Sequence, residues 1–431
     1  MADATAGATG STRSFDYGRD FWRLMAYACV LGVFGGAFSL LFLAVLKLGQ
    51  SWYHSSSPGW LGGEWWWVAA TAGAGLLVGL LRALTRLPEK TPGLIADIET
   101  AEVEPRLVPG ILLVSAASLI GGASLGPEKA LGSVGGGAGF WLAKRSRFSD
   151  DDRGAATLSG MSGAYGGLFS SPLIVVAMML EVNRPGGAKL SKVLVSSVLS
   201  SSISFGIYFA VAGSIFVGAY QVPTYAYQDW YLLAAIGMGV LAAIVSTVFG
   251  LIVRGCMALF GRLRIPMIVK AVIGGVVFGV IGVLLPLTMF TGTDQLDVIL
   301  KDGSALGLGL ILVMMIAKML TMGVALGSGF VGGPILPALF IGGSAGVALH
   351  LAIPGLPLGL AFASMLASVV GGFVSAPFAM VLFVALTTQL GALNTAPVLV
   401  AVVTSFLVVQ VLLHLLQGRR SARRAAPAPS A

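Results

Sequence analysis

Glu128 is the residue most suited to chemistry. No Asp, Glu, Lys or Arg occurs from Leu107 to Pro127, and after its neighbour Lys129 the next charge is Lys144. Burying an unpaired carboxylate in so apolar a stretch costs several kcal/mol, so such residues are rare and usually functional. Gly126-Pro127 precedes it. Proline suits a first helical turn, where its missing N–H would have no partner, and glycine permits a sharp approach. Glu128 is thus expected in the first turn of a helix whose N-terminus carries roughly half a positive charge and free N–H groups, a setting that attracts anions. A carboxylate there competes with the anion: it can occupy the seat as a tethered surrogate, or take up a proton and withdraw. Either makes it a gate or a proton-coupling element. The plainer alternative is a dipole-stabilised pair with Lys129.

The same pattern returns later in the chain. Gly126–Gly139 is echoed by Gly333–Gly346 with six of fourteen positions identical, and Gly166-Gly167-Leu168-Phe169-Ser170-Ser171-Pro172 by Gly371-Gly372-Phe373-Val374-Ser375-Ala376-Pro377 with four of seven. Two echoes in the same order at nearly the same offset point to a duplicated half, and in duplicated transporters paired broken helices meet near the bilayer midplane with the substrate between their N-termini. The expected organisation is a polar tail without structure at 1–20, a first membrane repeat at 21–220, a second at 229–417, and a basic tail without structure at 418–431.

The composition fits only a membrane setting. Of 431 residues 56% are hydrophobic and 10% charged, with a mean hydropathy of +0.92. Runs such as Leu24–Leu46 and Val398–Leu413 approach the ~20 residues a span needs, and 60 Gly and 19 Pro break them into short pieces. The net charge of +8 sits beside spans rather than in a nucleic-acid-binding stripe: Arg13, Arg19 and Arg23 precede the first, Arg82, Arg86 and Lys90 follow the next, and Arg254, Arg262 and Arg264 flank a later loop. The loops Ser51–Glu64 and Gly218–Tyr231 have no Lys or Arg, and Trp65-Trp66-Trp67 reads as an interfacial anchor. A multi-pass cell-membrane protein with both termini cytoplasmic follows. The N-terminus shows no signal-peptide pattern. Cys29 and Cys256 are too few for a disulfide framework, and no metal or cofactor site is expected.

With these residues in place the chain resembles the CLC family of chloride channels and proton/chloride antiporters. The family's G-[RK]-E-G-P segment, whose glutamate is the external gate, is similar to Gly126-Pro127-Glu128-Lys129-Ala130. Its F-N-A-P-L…E-E-x-R-P run resembles Phe169-Ser170-Ser171-Pro172-Leu173…Glu181-Val182-Asn183-Arg184-Pro185, and its S-G-x-x-G-G-I-F-x-P segment resembles Ser328–Pro337, preceded by Lys318 and Thr321. The resemblance implies an all-α polytopic membrane protein of two inverted-topology repeats with broken half-helices. It also implies a homodimer with one pore per subunit. The anion would lie among Gly93, Leu94, Ile95, Gly126, Lys129, Gly333, Ile335 and Leu336, with Glu128 as the gate.

The departures shape the functional expectation. The family's chloride-binding serine is replaced by Gly93, and its anion-binding tyrosine near the C-terminus has no counterpart, because no Tyr follows Tyr231. Lys129, in place of glycine beside the gate, is expected to restore part of the lost positive field. The internal glutamate that antiporters use for protons aligns with Val182; Glu181, about 100° away on a helix, offers a water-linked substitute. These residues favour passive, channel-like conduction of chloride or a related anion gated by Glu128, with proton-coupled antiport of chloride or fluoride as the alternative. An intramembrane serine protease built on Gly160-Met161-Ser162-Gly163 and His350 is a remote third reading, since small residues of this kind more often let helices pack closely. No enzymatic activity is expected.

Overall fold

The computed structural model describes residues 18–55 and 65–425. Fifteen α-helices occupy them: α1 Arg19–Ser55, α2 Trp66–Leu84, α3 Leu94–Thr100, α4 Val108–Ile120, α5 Glu128–Arg145, α6 Asp150–Leu168, α7 Pro172–Asn183, α8 Gly187–Ala212, α9 Trp230–Arg262, α10 Met267–Leu284, α11 Thr293–Gly327, α12 Ile335–Ala352, α13 Leu358–Val374, α14 Pro377–Thr388 and α15 Gly391–Ala425. Most of the sequence expected in the tails, 1–17 and 426–431, lies outside the described residues, as does most of the loop before Trp65. At the other end α15 continues to Ala425, past the expected boundary at 417. Its last turns are rich in Leu, Gln, Ala and Arg, all strong helix formers, and no proline intervenes before Pro427.

Eight helices are long and apolar enough to cross a bilayer, among them α1, α9, α11 and α12. Four others are too short: α7 and α14 have 12 residues each, about 18 Å at 1.5 Å per residue against the ~30 Å of a hydrocarbon core. Large apolar side chains such as Leu41, Leu48, Leu233 and Leu407 point outward and remain exposed, as lipid-facing residues do. The protein is a multi-pass membrane protein.

Duplication is visible in the packing. α5 lies on α6 as α12 lies on α13; α6 packs on α8 as α13 does on α15; α1 contacts α8 and α6 as α9 contacts α15 and α13. Gly307, at φ 77° and ψ 156°, breaks α11 in two. Each side therefore has eight helical pieces, and the echoed helices have equal lengths: α5 and α12 have 18 residues, α7 and α14 have 12. α7 meets α14, and α2 meets α10, across the boundary. The two halves are inverted-topology repeats, and the small residues of α5 and α6 let them close on each other: a Cβ at Gly135 would strike the Gly160 carbonyl, and one at Gly160 the Gly135 carbonyl.

Candidate functional site

The two Gly-Pro breaks meet. Gly126 N–H donates to the Gly333 carbonyl at 2.8 Å and Gly333 N–H returns a bond to Gly126 at 2.7 Å. Equivalent residues exchanging equivalent bonds mark a two-fold relation, so the pseudo-symmetry axis passes through this bridge. Beyond it, Pro127 and Pro334 cap α5 and α12, and both helix N-termini open onto the same small volume.

Glu128 fills that volume. It is fully buried, and its Oε1 accepts a hydrogen bond from Leu336 N–H at 2.8 Å. The side chain of the first residue of α5 therefore sits on the N-terminus of α12, under the partial positive charge of both helices. Its Oε2 has no hydrogen-bond partner among the described residues. A Cβ on either Gly126 or Gly333 would overlap this oxygen, so two glycines make the space in which the carboxylate rests. No cation pairs with it among the described residues. Tyr165, from α6, donates its hydroxyl to the Glu128 carbonyl at 2.9 Å and is itself fully buried.

Several expected residues take other parts. The N–H groups of Gly126 and Gly333 are consumed by their mutual bridge and do not face an anion; these positions contribute by lacking a side chain. Lys129 neither pairs with Glu128 nor offers a free charge: its ammonium lies 2.5 Å from Asp97, both side chains nearly inaccessible. Successive helical residues diverge by about 100°, and a buried cation must find a buried anion. Asp97 went unnoticed in the sequence because its spacing from Lys129 carries no helical signature. Glu181 is engaged too: its carboxylate accepts from Phe378 N–H and Ala379 N–H, both at 2.8 Å, capping α14. Val182 beside it is an ordinary buried apolar residue.

Gly93, just before α3, and Leu94 and Ile95, which begin it, line a cavity of about 430 Å³, whose walls also include Gly332 and Pro334 at the threshold of α12. Ile335, the first residue of α12, is fully buried. The loops around this region are held by long-range bonds. Arg82, read from sequence as a topology marker, is buried; its guanidinium donates to the carbonyls of Gly329 (3.0 Å), Glu89 (3.2 Å) and Pro88. Ser118 accepts from Val331 N–H at 3.1 Å. On the other side of α12, Lys318 donates to the carbonyls of Thr288, Met289 and Phe290 at 3.0, 3.1 and 2.8 Å, and Phe290 N–H ties that turn to Gly122. Ser162 donates within its own helix to Leu158, and His350 Nδ1 lies 2.6 Å from the Leu356 carbonyl, so no serine–histidine pair forms.

A buried carboxylate between the facing N-termini of two inverted, broken half-helices defines a duplicated membrane transport protein. Residues 89–410 match the sequence model described as voltage gated chloride channel, and the chain belongs to that family. YfeO of Salmonella paratyphi A, named for ion transport, is 26% identical over 75% of this chain and 80% of its own length. A slow cyanobacterial chloride/proton antiporter superposes with a TM-score of 0.80 at 18% identity, covering 94% of this chain and 99% of that one. A CLC-type fluoride/proton antiporter superposes at 0.76 and 20% identity, with 90% and 95% covered. A eukaryotic CLC transporter gives 0.71 at 17% identity, with 90% and 72% covered. These chains share the fold.

Proposed function

We propose that the protein exchanges a small halide, chloride or fluoride, for protons, with Glu128 both closing the anion path and carrying the proton. The observation behind this reading is the state of the Glu128 carboxylate: fully buried, bonded to one backbone N–H through Oε1, and unpartnered at Oε2. A carboxylate so placed substitutes for the anion between the half-helix N-termini. An arriving anion competes for the same N–H and the same field, and protonation lets the side chain leave without moving a bare charge through apolar surroundings. One group then alternates between binding a proton and holding the anion's place, which is the minimum requirement for exchange. That two structural relatives are a chloride/proton and a fluoride/proton antiporter supports it. In this reading 21–220 and 229–417 are the duplicated units, assembled as a homodimer in a cell membrane.

Passive conduction is the second reading, favoured by one observation: Val182 offers no titratable group at the internal position, and the Glu181 carboxylate is committed to α14. Proteoliposomes loaded with chloride or fluoride decide between the two when external anion and pH are recorded together. Exchange predicts proton movement against its gradient driven by the anion gradient, and loss of that movement in Glu128→Gln. Anion release with no proton movement would refute exchange in favour of conduction, and release of neither halide would refute both.

A further inference from the structure

Two cavities reach α3 at different residues, and their charges differ. The first, of about 240 Å³, is lined by Asp97, Glu102, Glu104 and Lys129, a net acidic set. The second is the cavity of about 430 Å³ that reaches Gly93–Ile95, Gly332 and Pro334. Among the described residues the only ionisable side chain lining it is Arg254, with Ser246, Thr247 and Ser375 as polar neighbours. Arg254 belongs to α9 and is exposed, and it forms no ion pair or hydrogen bond among the described residues. It is also not a charge at a helix end. It stands eight residues before Arg262, the last residue of α9, about 12 Å along the axis, whereas Arg262 and Arg264 mark the boundary itself.

We propose that Arg254 is a steering charge that concentrates the small anion in the cavity beside α9, on its approach to the Glu128 centre. A single unpaired cation at a cleft with low-dielectric walls raises the local anion concentration, and such focusing changes rates by factors of ten or more. The acidic cavity at Asp97, Glu102 and Glu104 repels the same ion. Arg254 thereby supplies, one step earlier on the path, part of the attraction that a serine at position 93 would give and Gly93 does not. This inference rests on the anion-transport reading above.

The test is initial halide efflux from proteoliposomes of the full-length protein carrying Arg254→Gln, Arg254→Glu, Arg254→Lys or Glu104→Gln, at about 10 mM and about 1 M salt. At low salt Arg254→Gln is expected to slow efflux roughly tenfold, Arg254→Glu more, and Arg254→Lys and Glu104→Gln little. At 1 M, where the Debye length falls to about 3 Å, the variants should converge. A purely topological role for Arg254 would produce no such salt dependence. Wild-type transport with Arg254→Gln indistinguishable from it at low salt overturns the inference alone; a wild type that moves no halide overturns the transport reading and this inference together.

Discussion

Replacing Gly93 by serine is the most informative single change at the proposed anion site. Gly93 lies just before α3 at φ −75° and ψ 166°, extended backbone that any residue adopts. A Cβ built there has nothing within 4 Å and faces the cavity shared with Gly332 and Pro334. Serine therefore costs neither strain nor repacking, and places a hydroxyl donor where family members carry one. A hydrogen bond to a charged acceptor contributes about 1.5–3 kcal/mol. Because Gly93 is exposed, the lower figure applies, and about 1.4 kcal/mol is tenfold in binding. Chloride affinity measured by isothermal titration in detergent should rise roughly tenfold in Gly93→Ser, with thermal stability unchanged within about 0.5 kcal/mol. Gly93→Ala, which fills the same space without a donor, should bind as the parent does. Equal chloride affinity in the serine and alanine variants would refute the idea that this position faces the anion.

Other changes read the remaining contacts. Asp97→Asn leaves the Lys129 ammonium buried without its carboxylate and should destabilise the protein by about 3–5 kcal/mol, whereas Asp97→Asn combined with Lys129→Met should recover most of that loss; thermal unfolding in detergent compares them. Glu181→Gln should weaken the cap of α14 by about 1 kcal/mol in the same assay and leave the proton-to-anion ratio in proteoliposomes unchanged, while a fall in that ratio would return Glu181 to the proton path. Tyr165→Phe removes the bond to the Glu128 carbonyl and should cost about 1 kcal/mol of stability, with a change in the pH dependence of flux that Tyr208→Phe does not reproduce.

Much of this architecture was legible in the chain because its signals are local. Gly-Pro breaks, the run without charges around Glu128, and two echoes in one order require only neighbouring residues to be read, and they located the half-helices and the carboxylate between them. What escaped depends on partners far apart in sequence. Lys129 looked like a free cation until Asp97 appeared across from it, thirty-two residues away. Arg82 looked like a surface marker until its three carbonyl partners buried it. Tyr165 gave no sign, since one tyrosine in a glycine-rich helix has no pattern, and its role is set by the turn at which α5 begins. Gly126 and Gly333 were read as sharp approaches to two helix N-termini, and the space that their missing side chains leave for a carboxylate oxygen shows only once the two halves are brought together.

The glycine bridge bears on how the proposed gate works. In a duplicated chain of inverted halves, the two broken segments must meet at the axis, and there each glycine's N–H and C=O are satisfied only by its counterpart. The bridge fixes the separation of the two half-helix N-termini before any anion is present. It also leaves a gap, set by two missing Cβ atoms, into which one carboxylate oxygen fits. Symmetry alone would supply two equivalent gates, but the second half has Ile335 where the first has Glu128. One apolar residue at the matching position removes a second like charge from the same few ångströms, where two buried carboxylates could not both ionise. The matching halves thus differ in carrying one carboxylate rather than two, and in the proposed gating role adding a second with Ile335→Glu should close the path or force a shared proton, read as a large fall in halide flux above neutral pH that returns on acidification.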